Sequence, residues 1–263
     1  AGLVEFQVKN GSHGILVNGT TSEPASLTVE ERNRIVDVAI EACAGKLPIV
    51  AATGSQNMQE TSALSAHAEK AGADALLVVT PYYNKPNQAG LYAHFKAIDA
   101  AVGIPILIYN IPGRSVIDMT PETMARLFKD CRNIVGVKDA TANMTKASLQ
   151  RAACGPDFIQ LSGEDATALG FNAHGGTGCI SVTSNVAPRL CADFQPASPA
   201  GDYQTALALQ DRLLPLHDAP FCAANPGPVK YAASRLGLCD TEHPLPRAPI
   251  SHATNKTVDP PLA

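Results

Sequence analysis

Tryptophan is absent from the 263 residues, and aromatic side chains of any kind make up only 5% of them. Charge is sparse as well, at 17%, and 20 Lys and Arg against 24 Asp and Glu leave a net charge of −4. No basic stripe exists to meet a phosphate backbone, which excludes nucleic-acid binding. Long apolar runs are missing. ALLVV at 75–79 and IPILI at 104–108 fall far short of the roughly 20 residues that cross a bilayer, so no membrane partner is expected. Residues 1–10 (AGLVEFQVKN) carry neither a charged n-region nor an apolar h-region, so no signal peptide is expected. The seven cysteines are scattered and form no CxxC, which disfavours a disulfide framework and fits a reducing, cytoplasmic setting. The histidines form no HxH or HExxH, so no metal site is expected, and His67 and His94 read as surface or packing residues.

What is present is 45% hydrophobic content, enough for one large core or two small ones. Short aliphatic runs recur at 14–18, 47–52, 74–80, 104–110, 133–138, 157–162 and 177–182. They are continuous rather than alternating, as strands buried on both faces are. Helical stretches lie between them. Thr28 with Glu31 has the capping-box spacing, ahead of a face of Ile35, Val38, Ala39 and Ala42. Residues 56–71 stop at Gly72, 88–102 carry Leu91, Phe95, Ile98 and Val102, and Thr120-Pro121-Glu122 opens another helix. Residues 144–153 and 164–174 complete the series.

Strands alternating with helices imply βαβ units and a parallel sheet. An open doubly wound sheet and a (β/α)8 TIM barrel of about 250 residues both fit this rhythm. No strand is followed by GxGxxG or GxxxxGK[ST], which removes the nucleotide fingerprints of the open sheet and favours the barrel. Residues 1–183 are expected to form the barrel and 184–239 a C-terminal helical appendage packed on it, with helices over 200–217 and 228–237. Residues 240–263, with prolines at 244, 246, 249, 260 and 261, are expected to form an irregular tail.

In a barrel, the C-terminal ends of strands build the active site. Polar residues gather at those ends here: Gly19-Thr20-Thr21-Ser22-Glu23, Thr80-Pro81-Tyr82-Tyr83-Asn84, Tyr109-Asn110, Lys138-Asp139, Ser162-Gly163-Glu164-Asp165, and Ser181 with Thr183. Lys138 is the most informative. Burial disfavours an ammonium and favours the free amine that attacks carbonyls to form a Schiff base; the competing reading is a snorkelling lysine paired with Asp139. Tyr109, at the end of another strand, tilts the balance, because a phenol beside an imine relays protons. Thr20 and Thr21 suit a carboxylate or simply cap a turn, and Arg114 suits a second carboxylate or is a solvated loop residue. Gly175-Gly176-Thr177-Gly178 precedes its strand, so it reads as a turn rather than a phosphate cradle.

Six motifs together resemble the dihydrodipicolinate synthase family of the class I pyruvate-dependent aldolases and lyases. They are Gly19 to Glu23, Val79 to Pro86, Tyr109 to Arg114, Val137 to Thr141, Leu161 to Asp165 and Ile180 to Thr183, and the likeness runs from about Leu3 to about Leu238. The resemblance implies a pyruvate imine on Lys138 and a proton relay of Thr20, Tyr109 and Tyr83, the last reaching in from a neighbouring subunit. It implies that Thr21 holds the pyruvate carboxylate, that backbone at Gly163 and Ile180 lines the pocket, and that Arg114 binds the carboxylate of L-aspartate 4-semialdehyde. The product would be 4-hydroxy-tetrahydrodipicolinate, on the diaminopimelate route to lysine. The family works without metal or organic cofactor, as a cytoplasmic homotetramer built as a dimer of dimers. Related Schiff-base aldolases for 2-keto-3-deoxy sugar acids or N-acetylneuraminate are the alternative, and they generally lack an arginine at the position of Arg114.

The sequence departs from the family pattern in places. Ser22 stands for a glycine and Pro24 for a serine in the threonine loop. Val29 and Arg32 stand where lysine-inhibited members have histidines, although Glu60 and Tyr82 remain, so weak or absent lysine feedback is expected. The strand series starts at the family's second strand, and residues 1–10 match the end of its first helix; a barrel lacking its first strand in this chain is therefore expected. The tail after Cys239 diverges, and no closing helix is evident in it.

Overall fold

The computed structural model describes residues 1–240, 256–259 and 261. Seven parallel strands form one sheet in chain order: β1 (Ile15–Val17), β2 (Ile49–Ala52), β3 (Ala75–Val79), β4 (Ile106–Asn110), β5 (Ile134–Asp139), β6 (Ile159–Ser162) and β7 (Gly178–Cys179). Six fall within their aliphatic runs, and β5 overruns its run by Asp139 alone. Among the described residues, β1 and β7 each pair on one side only, so the barrel sheet has seven strands there.

The helices are α1 (Gly2–Lys9), α2 (Val29–Cys43), α3 (Met58–Ala71), α4 (Gln88–Asp99), α5 (Pro112–Ser115), α6 (Pro121–Asp130), α7 (Met144–Cys154), α8 (Ala168–Ala173), α9 (Pro188–Ala197), α10 (Tyr203–Asp218) and α11 (Gly227–Arg235). At α2 the capping box closes: the Glu31 amide donates to Thr28 Oγ1 at 3.2 Å, and the Thr28 amide donates to Glu31 Oε2 at 2.8 Å. Gly72 ends α3 in the left-handed conformation, φ 99°, that its lack of a Cβ permits. The fully buried face of α2 is Arg32, Val36, Ala39 and Cys43; of the expected Ile35, Val38, Ala39 and Ala42, Ala39 is buried and Ile35 and Ala42 pack partly buried against the core. Arg32 is a charged residue on the inner side that a hydrophobic count does not register. Pro188, at the first position of α9, starts a helix that the composition does not announce.

Alternate strand residues divide between two apolar layers. Leu76, Val78, Ile106, Ile108, Ile134 and Val137 pack outward, in a cluster with residues of the surrounding helices. Leu77, Leu107, Tyr109 and Leu161 pack inward. The pairing of β4 with β5 contains a bulge: Ile106 faces Ile134 but Leu107 faces Gly136, so Val135 is an extra residue. Beyond it Tyr109 pairs with Lys138 and Asn110 with Asp139. Counting along β5 from outward-facing Ile134, an unbroken pleat would put Lys138 on the outer side. The extra residue reverses this and brings Lys138 inward beside Tyr109. Gly136 permits the close packing, since a Cβ there would lie 2.2 Å from the Ile159 carbonyl oxygen.

Helices α8, α9 and α10 share a second core around Phe194, Ala206 and Leu213. A third joins Val186, Ala219, Val229, Tyr231 and Ala232 to Val258. Residues 256–259 of the tail are helical; residues 241–255 of the expected irregular segment lie outside the described residues. Among the described residues, no helix is long and apolar enough to cross a membrane.

Candidate active site

Three elements converge at the C-terminal mouth of the sheet. Strand β5 delivers Lys138, 7% exposed, and its neighbour β4 delivers Tyr109, 6% exposed. The Lys138 Nζ lies 4.4 Å from the centre of the Tyr109 ring. The Tyr109 hydroxyl lies 3.1 Å from Thr20 Oγ1, within hydrogen-bond reach in either direction. Thr20 opens the first of two 3-10 turns that follow β1, Thr20–Ser22. The snorkelling alternative for Lys138 therefore does not hold. Asp139 faces the other side of the strand, where Oδ1 accepts from the Thr141 amide (2.9 Å) and hydroxyl (2.6 Å) and Oδ2 accepts from Gln150 Nε2 (2.6 Å).

Backbone at Gly163 lies against the lysine stem. A Cβ at Gly163 would sit 2.6 Å from Ala140 Cβ and 3.1 Å from Lys138 Cε, so only glycine leaves the lysine stem its room. Gly163 donates its amide to Asp139 O at 2.7 Å and Ile180 donates to Ser162 O at 2.9 Å. Both amides belong to the sheet ladder, which leaves carbonyls as their backbone groups for a ligand. Asp165 Oδ2 fixes the loop after β7 by accepting from the amides of Val182 (2.8 Å) and Thr183 (3.2 Å).

Arg114 lies exposed on α5, just beyond β4. Its loop is tied back to the strand: Asn110 Nδ2 donates to Asp118 Oδ1 at 2.8 Å, the Met119 amide donates to Asn110 Oδ1 at 3.0 Å, and Lys146 pairs with Asp118. Glu164 is an electrostatic neighbour of both Lys138 and Arg114. Burial, then repulsion from Asp165, pushes its carboxyl above the usual range, while Lys138 and Arg114 pull the other way. Burial likewise pushes up the thiols of Cys179 and Cys191, the latter to about 12, so neither is a nucleophile at neutral pH.

Tyr83 is not brought to this cluster within one chain. It is 86% exposed, with a left-handed φ of 68°, on the loop after β3. Thr21 lies in the same turn as Thr20, and its Oγ1 accepts from Asn225 Nδ2 at 3.4 Å. Asn225 precedes α11 and was not marked by any motif; nothing local in the sequence joins positions 21 and 225. Among the described residues no group of three or more His, Cys, Asp or Glu is placed to hold a metal ion.

A parallel β/α sheet that presents a buried lysine at the end of a central strand, against a tyrosine and a threonine hydroxyl, has the features of the lysine-dependent class I lyases. The chain belongs to the dihydrodipicolinate synthetase family, whose family model matches residues 1–261. It is 61% identical over 257 residues to the 4-hydroxy-tetrahydrodipicolinate synthase of Methylobacterium radiotolerans, covering 98% of this chain and 86% of that one. Among solved structures, dihydrodipicolinate synthase from Aquifex aeolicus superposes with a TM-score of 0.95 at 42% identity, over 98% of this chain and 88% of that one. The chloride-inhibited dihydrodipicolinate synthase of Acinetobacter baumannii, in complex with pyruvate, gives 0.95 at 38% identity, over 99% and 89%.

Proposed function

We propose that this chain condenses pyruvate with L-aspartate 4-semialdehyde to give 4-hydroxy-tetrahydrodipicolinate. The observation that carries the reading is the Lys138–Tyr109–Thr20 array, with an amine 4.4 Å over a phenol ring whose hydroxyl meets a threonine at 3.1 Å. The Lys138 amine adds to C2 of pyruvate, and water leaves to form the imine. Loss of a C3 proton gives the enamine, whose C3 attacks the aldehyde carbon of the second substrate. The amino group of that substrate then adds to the imine carbon, closes the ring and releases Lys138. Tyr109 and Thr20 carry the protons these steps release and consume. Thr21 holds the pyruvate carboxylate, and backbone at Gly163 and Ile180 borders the methyl end of the pocket. Arg114 grips the second carboxylate in bidentate fashion.

The exposure of Tyr83 supports its donation to the relay of a neighbouring subunit, and with it assembly as a homotetramer built from two dimers. The thiols of Cys43, Cys131, Cys154, Cys179, Cys191 and Cys222, none of them in a disulfide, support a cytoplasmic setting. Borohydride reduction in the presence of pyruvate, followed by peptide mass mapping, tests the imine: a pyruvate-derived adduct on Lys138 is expected, and its absence overturns the mechanism. Turnover of a 2-keto-3-deoxy sugar acid with none of aspartate semialdehyde would overturn the substrate assignment.

A further inference from the structure

The turn that carries Thr20 and Thr21 is held from the far end of the chain. Glu23 ends it in the left-handed conformation, φ 55°, and is 4% exposed. Its Oε2 pairs with Nζ of Lys230 on α11, across 207 positions of sequence. Two residues before α11, buried Asn225 donates to Thr21 Oγ1. Helix α11 and the turn before it thus touch the threonine turn at two points. The Glu23 amide, in turn, donates to Thr20 O at 3.0 Å. Movement of Glu23 is therefore transmitted to the residue that meets Tyr109.

A carboxylate so far from water is stable only beside positive charge or strong donors. Removal of the Lys230 ammonium takes away a compensating charge and the tie between the turn and α11. Asn225 acts on the direction of one proton. Its Nδ2–H fills an acceptor position on the Thr21 hydroxyl, so the Thr21 O–H must donate elsewhere, as a bound carboxylate requires.

We propose that the Glu23–Lys230 pair, with Asn225 beside it, is the clasp by which α11 sets the Thr20–Thr21 turn, making Glu23 and Lys230 positioning residues for the pyruvate carboxylate. The proposal rests on the pyruvate reading of the site. The test compares Lys230→Met, Lys230→Arg, Glu23→Gln and the control Arg235→Ala, which lies on the same helix but is paired with Asp259. The readouts are KM for each substrate, the rate of borohydride trapping with pyruvate, and thermal unfolding. Lys230→Met is expected to raise the KM for pyruvate and slow trapping by about ten- to a hundredfold, the scale of a misplaced contact group. The KM for the semialdehyde stays unchanged. Lys230→Arg keeps the charge and restores most of the loss, and Arg235→Ala behaves as the unaltered chain. If Lys230→Met does not fold, Glu23→Gln carries the test: it removes the buried charge and is expected to raise the pyruvate KM in the same way. Unchanged pyruvate KM and trapping in the folded variants, or equal losses for both substrates, would overturn the clasp. Failure of the unaltered chain to trap pyruvate would instead overturn the reading beneath it.

Discussion

Tyr109→Phe removes one oxygen from the middle of the site and leaves the ring in place under the Lys138 amine. The two functions of the tyrosine are thereby separated. Ring contact at 4.4 Å from Nζ persists, so the amine keeps its position and pyruvate is still trapped by borohydride. The 3.1 Å contact with Thr20 Oγ1 is lost, and proton transfer with it. A positioned acid or base contributes about 10²–10⁴ in rate, so kcat is expected to fall by about 10²–10³, or roughly 3–4 kcal/mol of barrier. The cost to folding is smaller, about 1 kcal/mol for a neutral hydrogen bond, because the half-buried Thr20 hydroxyl finds water. The assay is a double-mutant cycle with Thr20→Val, read in kcat. Hydroxyls that act as one relay give non-additive losses, so the double variant falls little further than the worse single. Losses that multiply would show that the two groups act independently and would refute the relay.

Arg114→Lys keeps the charge and loses the fork, so KM for the semialdehyde is expected to rise by about tenfold to a hundredfold while pyruvate trapping is unchanged; equal losses in both would refute the assignment. Lysine inhibition is expected to be weak or absent, because buried Arg32 donates to Glu60 Oε1 at 3.2 Å and to the carbonyls of Ala52 and Gly54, so that Glu60 is already engaged by a cation; a steep inhibition curve would show otherwise. Burial lowers the His94 pKa from 6.5 to about 4. The folded state therefore resists protonation, and the stability this histidine contributes is complete above about pH 6.5 and lost as pH falls towards 4. The effect is on the order of 2 kcal/mol after allowance for partial exposure, and His94→Gln is expected to flatten the acid limb of a stability–pH profile measured by urea unfolding.

The fold was legible wherever local rules decide. Six of the seven strands fall inside aliphatic runs and β5 overruns its run by one residue, while the Thr28–Glu31 cap and the Gly72 stop lie where side-chain spacing puts them. Legibility failed where a distant partner decides. The burial of Arg32 on the inner face of α2 is not legible, because its guanidinium is held by Glu60 and two carbonyls, all remote in sequence. Asn225 and Lys230 escaped notice because their partners, Thr21 and Glu23, are more than 200 residues away. Lys138 and Tyr109 were found from strand ends and family motifs, but their adjacency comes from strand pairing. Tyr83 illustrates the opposite limit, since a single chain leaves it in solvent.

The bulge at Val135 makes the placement of Lys138 a question of parity. Which side of the sheet the amine occupies depends on whether the number of residues between Ile134 and Lys138 is counted with or without a supernumerary one. Parity has no intermediate value. Deletion of Val135 would remove the bulge and leave Lys138 opposite Tyr109 on a regular pleat; straightening the bulge with every residue kept would instead turn the amine out among the helices, with every motif still intact. The site thus depends on how β5 accommodates one residue as strictly as on the identity of the lysine, and a comparison of motifs alone would miss a straightened strand.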